Sequence, residues 1–142
     1  MRYLILIVAL VLAACTPVRV VTPTPPRADP ARAQRILNAT DNAWNVIEKS
    51  DPTPATIAAR FGVDLKPTFL TLAYKLDGGG PDGEHGRRND VLEAKTPAQL
   101  EAARAQILAD FDFWAIKPMT EANRPELASY ITAVKDRLQP IR

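Results

Sequence analysis

The apolar residues between positions 31 and 142 recur every three or four residues, the spacing that places side chains on one face of a helix. Asp29 followed by Pro30 is a typical helix start, because aspartate caps the first turn and proline suits the first helical position. The apolar stripe that follows consists of Ile36, Leu37, Ala43, Trp44 and Ile47. These residues predict a long first helix.

Two further helix starts carry the same signals. Thr53 and Pro54 open a short helix, for which Gly62 is the expected C-terminal stop. Thr96 and Pro97 open the clearest helix, with Gln99 placed to complete a capping box. The stripe of this helix consists of Leu100, Ala103, Ile107, Phe111 and Trp114.

A last helix is predicted to begin between Asn123 and Pro125 and to end at Pro140. Its buried side consists of Leu127, Tyr130, Ile131, Val134 and Leu138. The segment 68–76 fits two patterns, since alternate apolar positions suit a strand while other spacings suit a helix opened by Pro67. We favour the helix because no convincing second strand exists for it to pair with. The predicted fold is therefore all-α, a small bundle or array of four to five helices.

The N-terminus has the pattern of an export signal. Arg2 precedes an unbroken apolar run from Leu4 to Ala14. Eleven residues make only about 16 Å of helix, roughly half the hydrocarbon core of a bilayer, so the run is too short to span it. A positive head, an apolar middle and small residues at the end are typical of a secretory signal peptide.

The residues Leu12-Ala13-Ala14-Cys15 resemble the lipobox of bacterial lipoproteins. The resemblance covers only about the first 15 residues, and it implies that Cys15 is diacylated and becomes the acylated N-terminus after cleavage. Acyl chains on Cys15 would make the membrane one partner of this protein. In enteric-type bacteria a residue other than aspartate after the cysteine, here Thr16, implies the outer membrane facing the periplasm, with the inner membrane as the alternative.

Residues 16–30 hold five of the 13 prolines and no glycine, which predicts a semi-rigid spacer. The expected organisation is therefore a signal peptide at 1–14, a lipidated cysteine with a proline-rich linker at 15–30, and a helical periplasmic domain at 31–142.

The composition excludes some classes of structure and partner. One cysteine excludes an internal disulfide, and a formal net charge of +2 offers no basic surface for nucleic acid.

Residues 77–90 contain five of the six glycines and the only histidine, His85. Acidic side chains near His85 allow a divalent cation site, but the calcium-loop signature is absent and Arg87 and Arg88 would oppose a cation. A partner-contact loop is a second interpretation. We expect a solvated glycine-rich connection, and we assign no metal ligand and no cofactor.

The run from Thr56 to Val63 resembles the first helix of LysM modules, which bind peptidoglycan, and also the opening of a helix-turn-helix. Pro52 and Pro54 depart from the LysM entry, and no closing strand follows. Pro67 falls where a DNA-recognition helix should start, so the segment is expected to be an ordinary amphipathic turn. A peptidoglycan-binding lipoprotein remains one alternative function.

Catalysis finds little support in the sequence. His85 lies in the glycine-rich segment, and Asp110 and Asp112 diverge on a helix, which indicates solvated acids rather than a catalytic pair. Phe113 lies opposite the buried stripe of its helix, which makes it a candidate partner contact unless it packs under the connection 115–120. We therefore expect a non-enzymatic accessory or assembly module of an envelope protein complex, with a small metal-dependent hydrolase as a further alternative.

Overall fold

The computed structural model describes residues 22–142, and all regular secondary structure within this range is helical. This confirms the predicted all-α class. The predicted signal peptide, the lipobox and the lipidated Cys15 lie outside the described residues. Residues 22–29 contain no helix, and the backbone N–H of Ala28 donates to the carbonyl of Lys95 at 3.0 Å, which ties the end of the linker to the domain.

The described elements, in chain order, are α1 (Pro30–Glu48), α2 (Pro54–Arg60), α3 (Lys66–Asp77), α4 (Arg87–Glu93), α5 (Pro97–Phe111), a π-helical turn (Asp112–Ile116), α6 (Lys117–Glu121), a 3-10 turn (Pro125–Leu127), α7 (Ala128–Leu138) and a second 3-10 turn (Gln139–Ile141). Because α5, the π turn and α6 continue without a break, they form one long helix. The part of the chain described thus holds the five expected helices and one more, α4.

The predicted helix starts at Asp29 and Thr96 are confirmed by their capping hydrogen bonds. The Asp29 carboxylate accepts from the N–H of Ala31 at 2.9 Å. At the start of α5 the Thr96 hydroxyl accepts from the Gln99 N–H, and the Gln99 side chain accepts from the Thr96 N–H, each at 3.2 Å. This reciprocal pair is the capping box that the sequence predicted, and it satisfies two backbone donors at an end where no helical partner exists.

Segment 68–76 forms most of α3, which confirms the helical interpretation that we favoured. Phe69, Leu72 and Leu76 are buried on one face of that helix. Their spacing of three and four residues is that of a helical stripe, and it explains how one segment satisfies the core without a strand partner.

The core lies between α1 and α7, which pack along each other, and the long helix that begins with α5. The largest fully buried side chains come from every major helix: Phe111, Ile36, Leu72, Leu76, Leu100, Ile107, Met119, Leu127, Leu138, Ile141, Val91 and Val134. Thr40 is also buried, and its hydroxyl donates to the carbonyl of Ile36 at 2.8 Å, so the group is satisfied within α1.

The structure corrects the expected connection at 115–120, which is helical. Ala115 and Ile116 are buried in the π turn, and the N–H of Lys117 donates to the carbonyl of Asp112, five residues earlier. Pro118 follows immediately and cannot supply a backbone donor, and its ring crowds the carbonyl four residues before it. The wider π turn accommodates this proline without ending the helix.

Candidate partner-binding groove

An apolar groove lies between α3 and the glycine-rich connection that follows it. It encloses about 240 Å³, and its apolar lining is larger than its polar lining. Leu70 and Tyr74 form the helical wall, and Gly80 and Pro81 form the opposite wall. Leu70 is 52% exposed and Tyr74 is 38% exposed, so the groove displays two large apolar side chains to solvent.

The glycines hold the connection against α3. A Cβ atom on Gly80 would lie 3.0 Å from the Cβ of Tyr74, closer than an ordinary van der Waals contact, so the glycine lets the backbone lie directly against this side chain. A Cβ on Gly86 would lie 2.4 Å from the carbonyl carbon of Asp77. Gly78 has a φ of +80°, which turns the chain sharply at the end of α3. The connection therefore closes back onto the helix.

Residues 81–85 are exposed, as expected of a solvated connection, but the connection is shorter than 77–90. Residues 87–90 belong to α4, and Gly86 is buried at the base of the turn. The sequence showed many glycines but did not show that their backbone would meet the end of α3, because that contact depends on the path of the connection, which the helical period does not report.

Charged side chains form the rim of the groove. The Lys75 ammonium and the Glu84 carboxylate form an ion pair that joins α3 to the connection. The hydrogen bond and the positive charge of Lys75 hold the pKa of Glu84 below its usual value. Asp82 also lines the groove, and none of the ion pairs within residues 22–142 includes it. The rim therefore carries one negative charge without an internal counterion.

His85 follows the groove in sequence but faces a different set of side chains. Its Nδ1 lies 3.0 Å from Asp90, and its Nε2 lies 3.6 Å from Glu93. The hydrogen bond to Asp90 is the main cause that raises the pKa of His85. Burial opposes it, and the negative charges of Glu93 and Asp90 add smaller upward shifts. Among residues 22–142 no three His, Cys, Asp or Glu side chains are placed to hold one metal ion.

The carboxylates Asp110 and Asp112 diverge, as the sequence indicated, but only one is solvated. Asp112 lies on the surface, 3.3 Å from Arg142. Asp110 is buried, and its carboxylate accepts from Nε of Arg87 at 2.9 Å. The prediction of two solvated acids is therefore wrong for Asp110, because α4 carries an arginine onto the side of α5.

Burial is the largest single effect on Arg87 and disfavours its charged form, but the hydrogen bonds and charges of Asp110 and Asp90 together outweigh it and raise the pKa of this guanidinium. Arg87 also lies 3.5 Å from Asp90. The guanidinium of Arg87 thus holds α4 on α5, and its ion pairs indicate a structural role.

Phe113 is exposed at 55% of its side chain, whereas Phe111 is fully buried. The ring contacts Trp114 edge to face, with centroids 4.8 Å apart, and the Lys117 ammonium lies 5.2 Å from its centroid. Phe113 therefore does not pack under the segment 115–120, and it stays a candidate partner contact outside the groove.

A second open cleft lies between α1 and the α3–α4 end of the domain. It encloses about 370 Å³ and includes Trp44, but its lining is mostly polar. Arg88 crosses it, with Nε donating to Asp41 at 2.9 Å and a further ion pair to Asp77. Because its arginine is already paired with two carboxylates, this cleft offers less unsatisfied binding capacity than the groove.

The LysM-like run 56–63 covers most of α2 and its cap. Ile57 and Ala58 are buried, and Gly62 has a φ of +76°, which confirms the predicted stop of this helix. The next regular element is α3, and no strand occurs among residues 22–142. Within the described part of the chain, the likeness to a LysM module is therefore limited to one short helix.

The sequence did not single out Leu70 or Tyr74 as site residues, although a signal was present. The alternation that suited a strand places both residues outside the buried stripe of a helix. At positions i and i+4 they share one face, opposite Leu72. The signal was the presence of large apolar residues on a second face of this helix, in addition to those on the face that packs in the core.

Comparisons of this chain with models of protein families, with curated proteins and with solved structures found no match. No helix within residues 22–142 has both the length and the apolar character needed to cross a bilayer.

Proposed function

We propose that this protein is a lipid-anchored lipoprotein of the bacterial envelope whose helical domain is a non-enzymatic accessory or assembly module for a protein partner. The observation that carries the partner-binding role is the groove, where Leu70 and Tyr74 stay exposed against a closely held backbone wall. Large apolar side chains displayed in a concave site are typical of interface anchors. The exposed ring of Phe113 supplies a second contact.

The anchoring part of the proposal rests on the likeness of residues 1–15 to a lipoprotein signal. Two or three acyl chains give stable membrane attachment, since each buried methylene contributes about 0.8 kcal/mol. The part of the proline-rich segment that precedes Ala28, residues 16–27, would then separate the domain from the membrane by up to roughly 37 Å at about 3.1 Å per residue. We place the protein on the periplasmic face of the outer membrane.

Cys15→Ser is expected to abolish acylation and to leave uncleaved precursor, because the thiolate sulfur that receives the diacylglycerol is missing. Metabolic labelling with palmitate and the electrophoretic mobility of the protein measure both effects. If the variant is cleaved normally and the parent protein takes up no palmitate label, the N-terminus is an ordinary secretory signal. The lipid anchor would then be removed from the proposal.

Partner binding is tested by site-specific photocrosslinking of the full chain in intact envelopes. The photoreactive residue p-benzoylphenylalanine replaces Leu70 in the groove, Phe113 on the long helix, or Leu92 as a control. Leu92 is 66% exposed on α4 and does not line the groove, so it is the matched exposed leucine. We expect one protein adduct from Leu70, from Phe113 or from both, and none from Leu92. Adducts of wall fragments alone, or no adduct at any position, would contradict the proposed function.

A further inference from the structure

We infer that the groove between α3 and the connection 78–86 receives an extended peptide segment of the partner protein. This segment inserts an apolar side chain between Leu70 and Tyr74 and places a lysine or arginine beside Asp82. The inference rests on the proposed partner-binding function and names the chemistry of what is bound.

The size of the groove favours a side chain from an extended segment. Its volume of about 240 Å³ lies below the roughly 300–1,000 Å³ of pockets for small organic ligands. Leu70 and Tyr74 are separated by a rise of only about 6 Å along α3, which is room for one side chain between them. An extended chain projects alternate side chains toward the same surface, so it can place single side chains into such a groove.

The two walls of the groove are held together by contacts within the domain. Gly80 contacts Tyr74, Gly86 meets the end of α3, and the Lys75–Glu84 ion pair joins the two walls. The N–H of Gly83 donates to the carbonyl of Gly80 at 2.9 Å, which closes the turn at the tip. A preformed site loses little conformational entropy on binding, which suits the recognition of a short segment.

The negative charge on the rim of the groove favours a basic peptide segment. Lys75 and Glu84 neutralise each other, so Asp82 leaves the rim with a net negative charge on a chain whose formal net charge is +2. A lysine or arginine next to the inserted apolar side chain would pair with Asp82, while an acidic segment would be repelled. Other occupants, among them a second copy of this chain, are outcomes of the experiment.

The experiment uses the full chain carrying p-benzoylphenylalanine in place of Leu70, irradiated in isolated envelopes, with the crosslinked peptide sequenced by mass spectrometry. Asp82→Lys is compared with Asp136→Lys, a charge reversal on an exposed acid of α7 that does not line the groove. We expect Asp82→Lys to lower the crosslink yield about fivefold at low salt, and Asp136→Lys to leave it unchanged. The difference should shrink at about 1 M salt, where the screening length is only about 3 Å.

Support requires a crosslinked partner segment with a lysine or arginine within a few residues of the modified one. An acidic segment, a helical face, a second copy of this chain, or a yield insensitive to Asp82→Lys would overturn the inference. If Leu70 gives no adduct while Phe113 does, the inference fails and the proposed function stands. If neither position gives an adduct, the proposed function fails as well.

Discussion

Arg87→Met is expected to lower the free energy of unfolding by about 3 kcal/mol, because it leaves the buried carboxylate of Asp110 without its partner. Methionine retains most of the apolar stem of arginine, so the loss reports the charge rather than the packing. The side chains of Arg87 and Asp110 are 20% and 11% exposed, which places the effect at the lower end for a buried pair. Urea unfolding followed by circular dichroism measures it.

Two further variants separate the buried pair from ordinary surface charge. Arg142→Met breaks the exposed pair with Asp112, two residues from Asp110, and should cost less than about 1 kcal/mol. The double variant Arg87→Met with Asp110→Leu removes both charges and should recover most of the lost stability. A double variant as unstable as Arg87→Met alone would show that the pair does more than neutralise a buried charge.

Gly86→Ala is expected to lower the free energy of unfolding by about 2–3 kcal/mol and to abolish the Leu70 crosslink. The new Cβ would lie 2.4 Å from the carbonyl carbon of Asp77 and 2.6 Å from the nitrogen of Gly78. Both atoms belong to the backbone, so no side chain can rotate away, and the connection must separate from α3. The groove would open as a result.

Gly79→Ala is the matched control within the same connection. Gly79 has a φ of +77°, but a Cβ there meets nothing within 4 Å. Gly79→Ala should lower the free energy of unfolding by about 1 kcal/mol, the cost of placing alanine in the left-handed region. The groove should persist in this variant. Thermal unfolding and the crosslink yield are measured on both variants. Equal losses of stability and of crosslink yield in the two variants would mean that the close approach of residue 86 to Asp77 adds no cost of its own, which would contradict the prediction for Gly86→Ala.

The helices could be predicted from sequence because their signals are local. The cap at Thr96 and Gln99 depends on residues three apart, and each buried stripe depends on spacings of three and four. The side of the helix on which Phe113 lies follows from its angle to Phe111, but the sequence left open whether the segment 115–120 would cover it, and only the structure shows that it is exposed. The long helix past Ala115 was missed because Pro118 ordinarily ends a helix, and a π turn that accommodates proline leaves no clear mark in the sequence.

The groove could not be predicted in the same way, because its walls come from contacts between separate segments. The glycines of 77–90 were visible, but their meaning depends on Gly80 meeting Tyr74 and Gly86 meeting Asp77. Asp110 was taken for a solvated acid, because nothing near it in sequence indicates the arginine that α4 brings onto it. Ionic and backbone contacts of this kind are decided by packing, which periodicity does not report.

By itself, the sequence determined an all-helical domain and the positions of its main caps and buried stripes, since these follow from the geometry of a single helix. It also carries the lipobox-like run that ends at Cys15, on which the proposed anchor rests. Only the tertiary structure decided that a glycine-rich connection folds back onto α3, that Leu70 and Tyr74 line a groove there, and that Asp110 is buried against Arg87. The groove arises where the chain turns back onto α3, and the buried pair arises where α4 packs on α5. Both depend on packed contacts that the geometry of a single helix does not fix.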